Sequence, residues 1–137
     1  MFEEASHPHS ELTGRIIACA QAVHQALRPG LDERVYENAL CIEFAERGVF
    51  FEQQCEFPVF YRERIVGKLI PDLLVERTVI VDLKVVESFN DAHIAQILGY
   101  LNITGMQVGL LLNFKHATIQ VKRIAALKSH RSSSSTQ

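Results

Sequence analysis

Leu69-Ile70-Pro71-Asp72-Leu73-Leu74-Val75 and Val79-Ile80-Val81-Asp82-Leu83-Lys84-Val85-Val86 are the two stretches that decide the reading of this chain. Both are apolar, β-branched runs of strand length, and the polar Glu76-Arg77-Thr78 between them reads as a turn. Charges set among Val, Ile and Leu in mid-strand are costly unless something pairs with them. Asp82 and Lys84 are two residues apart, so on a strand they face the same side. Two carboxylates and an ammonium in so short a span could hold a hard divalent cation and an oxygen beside it. An isolated D-x-K is more commonly a solvated edge pair, so the neighbouring elements must decide.

Register supplies a test. A two-residue turn at Arg77-Thr78 would pair Glu76 with Val79 and turn Asp72 away from Asp82 and Lys84. A shared site requires the other parity. The expectation is therefore a three-residue loop with Val75 opposite Val79, or a bulge around Pro71 with the same effect. Pro71 has no N–H to donate to a ladder and should mark an edge, a bulge or a bend.

Outward from this pair the period changes. Leu12, Ile16, Cys19, Val23 and Leu27 recur at helical spacing after Ser10, a candidate N-cap, and the helix should end before Pro29-Gly30. A second helix is predicted from about Leu31 to Arg47, with Gly48 at its C-terminal cap. Its rows Val35/Ala39/Ile42 and Tyr36/Leu40/Phe44 read as one broad apolar stripe. Glu33, in its first turn, shares a flank with Tyr36 and Glu37. Phe57–Tyr61 and Ile65–Ile70 read as strands around Arg62-Glu63-Arg64. A third helix is expected from Asn90 to Thr104, closed by Gly105, with Ile94, Ile97, Leu98 and Leu101 as its core face. His93, Gln96 and Tyr100 lie on the adjacent flank. Strands at 107–113 and 118–124 follow.

The expected order is α-α-β-β-β-α-β-β, an α/β (α+β) mixed sheet flanked by helices. The strand after the third helix should lie parallel to a strand of the meander through a right-handed crossover. A single domain over residues 1–128 is expected, with the Ser-rich 129–137 disordered.

The chain has 137 residues, 47% hydrophobic and 22% charged, which is globular composition. No run of 18 apolar residues occurs, so no membrane-spanning helix is expected. The acidic, polar start lacks the pattern of a signal peptide, and Cys19, Cys41 and Cys55 form no C-x-x-C clip; both features suit a reduced cytoplasm. Net charge is −2, which argues against coating nucleic acid through bulk charge. No acidic residue follows Asp91, whereas Lys115, Lys122, Arg123, Lys128 and Arg131 do. This end could face phosphate or simply be solvated.

P-D, then D-x-K, then a helix with Q-x-x-x-Y, then a strand: this succession resembles the PD-(D/E)XK nuclease superfamily, with its restriction-endonuclease-like fold. Gly30-Leu31-Asp32-Glu33-Arg34-Val35-Tyr36 further resembles the G-x-x-E-x-x-Y signature of the GxxExxY proteins, and the likeness runs from about Ile16 to Ile124. The resemblance implies that Asp72 and Asp82 hold one or two Mg²⁺ or Mn²⁺ ions, with Glu33 supporting the metal. It implies that Lys84 orients the attacking water and that Gln96 and Tyr100 contact the site and the nucleic-acid backbone. His93, Tyr36 and Lys115 are further candidate nucleic-acid contacts. Related proteins more often carry Glu at the position of Asp82. Without a four-cysteine set, no iron–sulfur cluster is expected.

The implied function is metal-dependent hydrolysis of phosphodiester bonds, with DNA the expected substrate and a homodimer or larger complex a natural setting. Two other readings use the same fold. One is a non-catalytic nucleic-acid-binding or protein-interaction module, and the other is a scaffold in which the acids are vestigial.

Overall fold

The computed structural model describes residues 7–127; the Ser-rich end expected to be disordered lies outside them. Helix α1 (Ser10–Leu27) and helix α2 (Glu33–Glu46) come first. Five strands follow: β1 (Phe51–Gln53), β2 (Phe57–Tyr61), β3 (Arg64–Leu69), β4 (Leu73–Val75) and β5 (Val79–Lys84). Helix α3 (Asp91–Thr104), β6 (Val108–Asn113) and β7 (Gln120–Ala125) complete the chain.

The main sheet has the order β1-β4-β5-β6-β7. Its pairs are antiparallel except β5–β6, which is parallel across the α3 crossover. This is an α+β molecule with a mixed central sheet between helices. On one face, Leu73, Val75, Val81, Leu83, Leu110 and Leu112 pack against Ile16, Cys19 and Val23 of α1 and Tyr36, Leu40 and Phe44 of α2. On the other, Leu74, Ile80, Leu111 and Ile124 pack against Ile97, Tyr100 and Leu101 of α3. The strictly alternating apolar residues of β4, β5 and β6 thus feed two cores, as expected of strands buried on both faces. Gly109 lets α3 approach closely: a Cβ there would stand 2.6 Å from Ile97 Cγ2.

The helix boundaries lie close to those expected. Asn90 caps α3, its side-chain oxygen accepting from the His93 N–H at 2.9 Å, and Gly105 ends it with a φ of 78°. Three expectations require correction. First, the run through Leu69–Val75 is two strands, because the chain breaks at Pro71, and a short β1 precedes them; five strands rather than three come before the crossover helix. Second, β2 and β3 form a separate two-stranded ribbon and do not join the main sheet. Third, Val35 and Ile42 are exposed, so the core of α2 is the Tyr36/Leu40/Phe44 row with Cys41 beside it. On the flank of Cys41 and one turn before it, Glu37 is buried as well, a charge on the helix's contact face.

Candidate active site

The turn between β4 and β5 spans Glu76, Arg77 and Thr78, with Glu76 and Arg77 both in the left-handed region (φ 52°). The Thr78 hydroxyl donates to the Glu76 carbonyl, and the Phe50 N–H donates to Glu76 Oε2 at 2.9 Å. Val75 therefore pairs with Val79, Leu74 with Ile80 and Leu73 with Val81. Continued by one residue, this parity brings Asp72 to Asp82. The Asp72 N–H donates to Asp82 Oδ1 at 2.9 Å, and the Leu83 N–H donates to Asp72 Oδ2 at 2.9 Å. One oxygen of each carboxylate is thus fixed by the other strand's backbone.

Three further elements converge on this pair. Lys84 Nζ lies 3.8 Å from Asp82 Oδ2 and donates to Gln96 Oε1 of α3 at 3.2 Å. Tyr100, one turn further along α3, is buried where it feels both aspartates. Glu33 enters from the first turn of α2, close enough that Asp72 and Lys84 both act on its carboxyl. Asp72, Asp82, Lys84 and Gln96 therefore form one bonded cluster, with Glu33 and Tyr100 within electrostatic reach of it.

The electrostatics of the cluster are those of too many carboxylates in too little water. Burial, and then the neighbouring Asp72, push the Asp82 carboxyl up to about 7; the Asp72 N–H and Lys84 pull the other way. Burial also raises Asp72, against the Leu83 N–H and with Glu37 adding repulsion. Glu33 is raised by burial and by Asp72. Tyr100 is pushed up to about 12 by burial and the two aspartates. The single ammonium of Lys84 does not balance this charge. Carboxylates raised together by burial and by one another's charge are common where chemistry is done.

Among the described residues no three His, Cys, Asp or Glu side chains stand as a ready-made metal cage. Such a cage is what zinc requires, whereas Mg²⁺ uses one or two carboxylates and fills its other positions with water and substrate phosphate. Two backbone-anchored aspartates with unbalanced negative charge and oxygen-only donors fit a hard dication of that kind.

The other candidate contacts lie elsewhere. Tyr36 is a correction: its hydroxyl donates to the Arg28 carbonyl at 2.6 Å and accepts from the Leu31 N–H at 3.1 Å, and its fully buried ring stacks on Phe114 at 4.6 Å. It shapes the turn that presents Glu33 and cannot touch a nucleic acid. His93 is occupied at the start of α3, its Nδ1 accepting from the Asn90 N–H at 3.1 Å. Lys115 is exposed, 3.8 Å from Glu87, just past the end of β6 and so at the same end of the sheet as Lys84.

Two supporting residues escaped the sequence reading. Glu37, 1% exposed, accepts at Oε2 from the Gln53 and Gln54 side chains, both at 2.8 Å. Gln54, with φ at 57°, also donates its N–H to the Asp72 carbonyl at 2.9 Å. Glu37 was legible as a second acid one turn from Glu33 on the same helix flank. Nothing in the local pattern of Gln54 announces it.

The family profile described as PD-(D/E)XK nuclease superfamily matches residues 10–124. No curated protein sequence matches significantly. Among solved structures, the crystal structure of SSO0001 superposes with a TM-score of 0.54 at 14% identity, over 72% of this chain and 52% of that one. An alkaline exonuclease (LHK-Exo) from Laribacter hongkongensis superposes with a TM-score of 0.53 at 14% identity, over 89% of this chain and 74% of that one. The chain thus spans about half the length of the first and three quarters of the second.

Proposed function

Because this chain belongs to the PD-(D/E)XK nuclease superfamily, we propose that it hydrolyses phosphodiester bonds of nucleic acid, DNA first among them, with Mg²⁺ or Mn²⁺ as cofactor. The observation that carries the reading is the reciprocal anchoring of Asp72 and Asp82 by each other's strands, with Lys84 and Gln96 beside them. Asp72 and Asp82 would supply oxygen ligands, with Glu33 supporting them from the start of α2. A divalent cation there would polarise the scissile phosphate and offset the charge that develops on it. Lys84, its ammonium steered by Gln96 Oε1, donates to the attacking water and aligns it with the phosphorus. Burial of Asp82 excludes bulk water and strengthens each of these interactions. Likeness to an exonuclease supports nucleic acid as the substrate class, and the GxxExxY-like residues Gly30, Glu33 and Tyr36 support the narrower grouping, since Tyr36 braces the turn that positions Glu33.

The test is cleavage of end-labelled single- and double-stranded DNA and RNA with Mg²⁺, Mn²⁺ or EDTA, by the wild type and by Lys84→Ala. Metal-dependent products from the wild type, reduced by a factor of about 100 or more in the variant, are expected. Equal activity of the two purified proteins, or none from either beside salt-sensitive binding, would replace hydrolysis with a binding role.

A further inference from the structure

The ribbon β2–β3 is attached to the molecule at its base, where Phe57 and Leu69 pack with the α3 cluster. A lone two-stranded ribbon is marginal in water, and its outer half here is richly apolar. Phe60 is 58% and Tyr61 63% exposed, and Ile65 and Val66 are equally open. Alternation places Val59 and Tyr61 on the same face as Phe57, the face that looks along α3. The tip is cationic. Its two turn residues, Arg62 and Glu63, are left-handed, and the Arg62 guanidinium lies 5.6 Å over the Tyr61 ring. Arg64 makes no ion pair among the described residues.

Between the ribbon and α3 runs an open groove of about 390 Å³. Its walls include Val59 and Leu69 on one side and Gln96, Gly99 and Tyr100 on the other. Gln96 accepts from Lys84, and Tyr100 feels the charge of both aspartates, so the groove begins beside the acid cluster and runs along the ribbon as far as Val59, two residues before Tyr61. At its floor, Gly99 presents no side chain.

Duplex DNA offers a protein its phosphates and base edges and hides its base faces. An exposed aromatic and aliphatic wall gains nothing from such a surface, whereas an unstacked base gains from stacking on it. Cationic groups at the far end of the wall suit the strand's phosphates. Resting on the nuclease reading above, we infer that this groove and the ribbon tip beyond it seat a single-stranded stretch of the substrate, with a base stacked on Tyr61 and backbone phosphates held by Arg62 and Arg64. The ribbon is then the element that selects a frayed or unpaired strand and leads it toward Asp72, Asp82 and Lys84.

Fluorescence anisotropy with Ca²⁺ in place of Mg²⁺ tests this, using labelled oligothymidylate and a blunt duplex of equal length. The wild type should bind the single strand more tightly. Tyr61→Ala should weaken that binding about tenfold and leave duplex binding unchanged, while Tyr61→Phe, which keeps the ring, should bind like the wild type. Arg62→Ala with Arg64→Ala should flatten the salt dependence. Circular dichroism establishes that each variant is folded. Unchanged single-strand affinity in Tyr61→Ala, or a preference of the wild type for duplex, would overturn the inference. So would light scattering that shows a dimer abolished by Tyr61→Ala with oligonucleotide affinity intact, which would assign the ribbon to a second copy of the chain. Metal-dependent cleavage with Tyr61-independent binding defeats the ribbon's role alone. Tyr61-dependent binding without cleavage defeats hydrolysis alone.

Discussion

Replacing Asp82 by Asn should stabilise the metal-free protein while abolishing its chemistry. Asp82 is 4% exposed, and its carboxyl is pushed from 3.8 up to about 7 by burial and by Asp72, with Glu33 adding repulsion. Between about pH 4 and 7 the folded chain therefore binds a proton that the unfolded chain has released. Stability from this group is fully present below the unfolded value near 4 and is lost as pH rises through 7. At pH 8 a displacement of that size corresponds to about 4 kcal/mol of disfavoured ionisation. Asn keeps the oxygen that accepts the Asp72 N–H but must find partners for its own amide in a buried place. The net gain expected is about 2 kcal/mol at pH 8, and much less at pH 5, where the wild-type carboxyl is already largely protonated. Urea denaturation in EDTA, followed by far-ultraviolet circular dichroism at both pH values, measures the difference. Titrating groups remote from Asp82 are common to both proteins and cancel in it. A variant less stable at pH 8, or a gain independent of pH, would refute the picture of an uncompensated buried carboxylate.

Other substitutions probe the frame around the cluster. Gly109→Ala should cost about 1–3 kcal/mol of stability through overlap with Ile97 Cγ2, and Ile97→Ala in the same chain should recover part of the loss from overlap; thermal melts of the single and double variants distinguish the two. Tyr36→Phe keeps the stack on Phe114 but deletes both hydroxyl bonds, costing about 1–2 kcal/mol and lowering cleavage through the turn before Glu33, read by melting and by kcat. Asn113 is fully buried and accepts from the Val86 N–H at 3.1 Å while donating to the Val86 carbonyl at 2.7 Å and to Gln120. Asn113→Ala should lose about 2–4 kcal/mol, because it strands both Val86 groups, with faster amide exchange at Val86 as the local readout.

What could be read in advance followed from parity. A strand flips every side chain when slipped by one residue, so requiring Asp72 and Asp82 to meet narrowed the turn to a three-residue loop or a bulge around Pro71, and the loop, with Val75 opposite Val79, is the one found. The ends of α3 were equally legible, because Asn90 and Gly105 have few other uses at those places. The misreadings come from tertiary context. Val35 and Ile42 look like core by period, yet α2 rolls so that Tyr36, Leu40 and Phe44 face α1 and the sheet, and Glu37 is buried against Gln53 and Gln54. The apolar run across Pro71 looked continuous because hydrophobicity does not report the missing N–H's effect on direction. Tyr36 belongs to a motif with functional associations, but its ring and hydroxyl are both spent on packing and on the turn at residues 28–31. Gln54 acts through a left-handed backbone and a long-range hydrogen bond, neither of which has a local signature.

Metal-dependent hydrolysis requires the Asp72–Asp82 pair to hold a divalent cation, and calorimetric titration of the purified protein with Mn²⁺ at pH 8 measures that capacity directly. Saturable binding by the wild type, weakened at least tenfold in Asp72→Asn and in Asp82→Asn while both variants remain folded, is the predicted result. Mn²⁺ binding of equal strength in all three proteins, or none in the wild type, would contradict it.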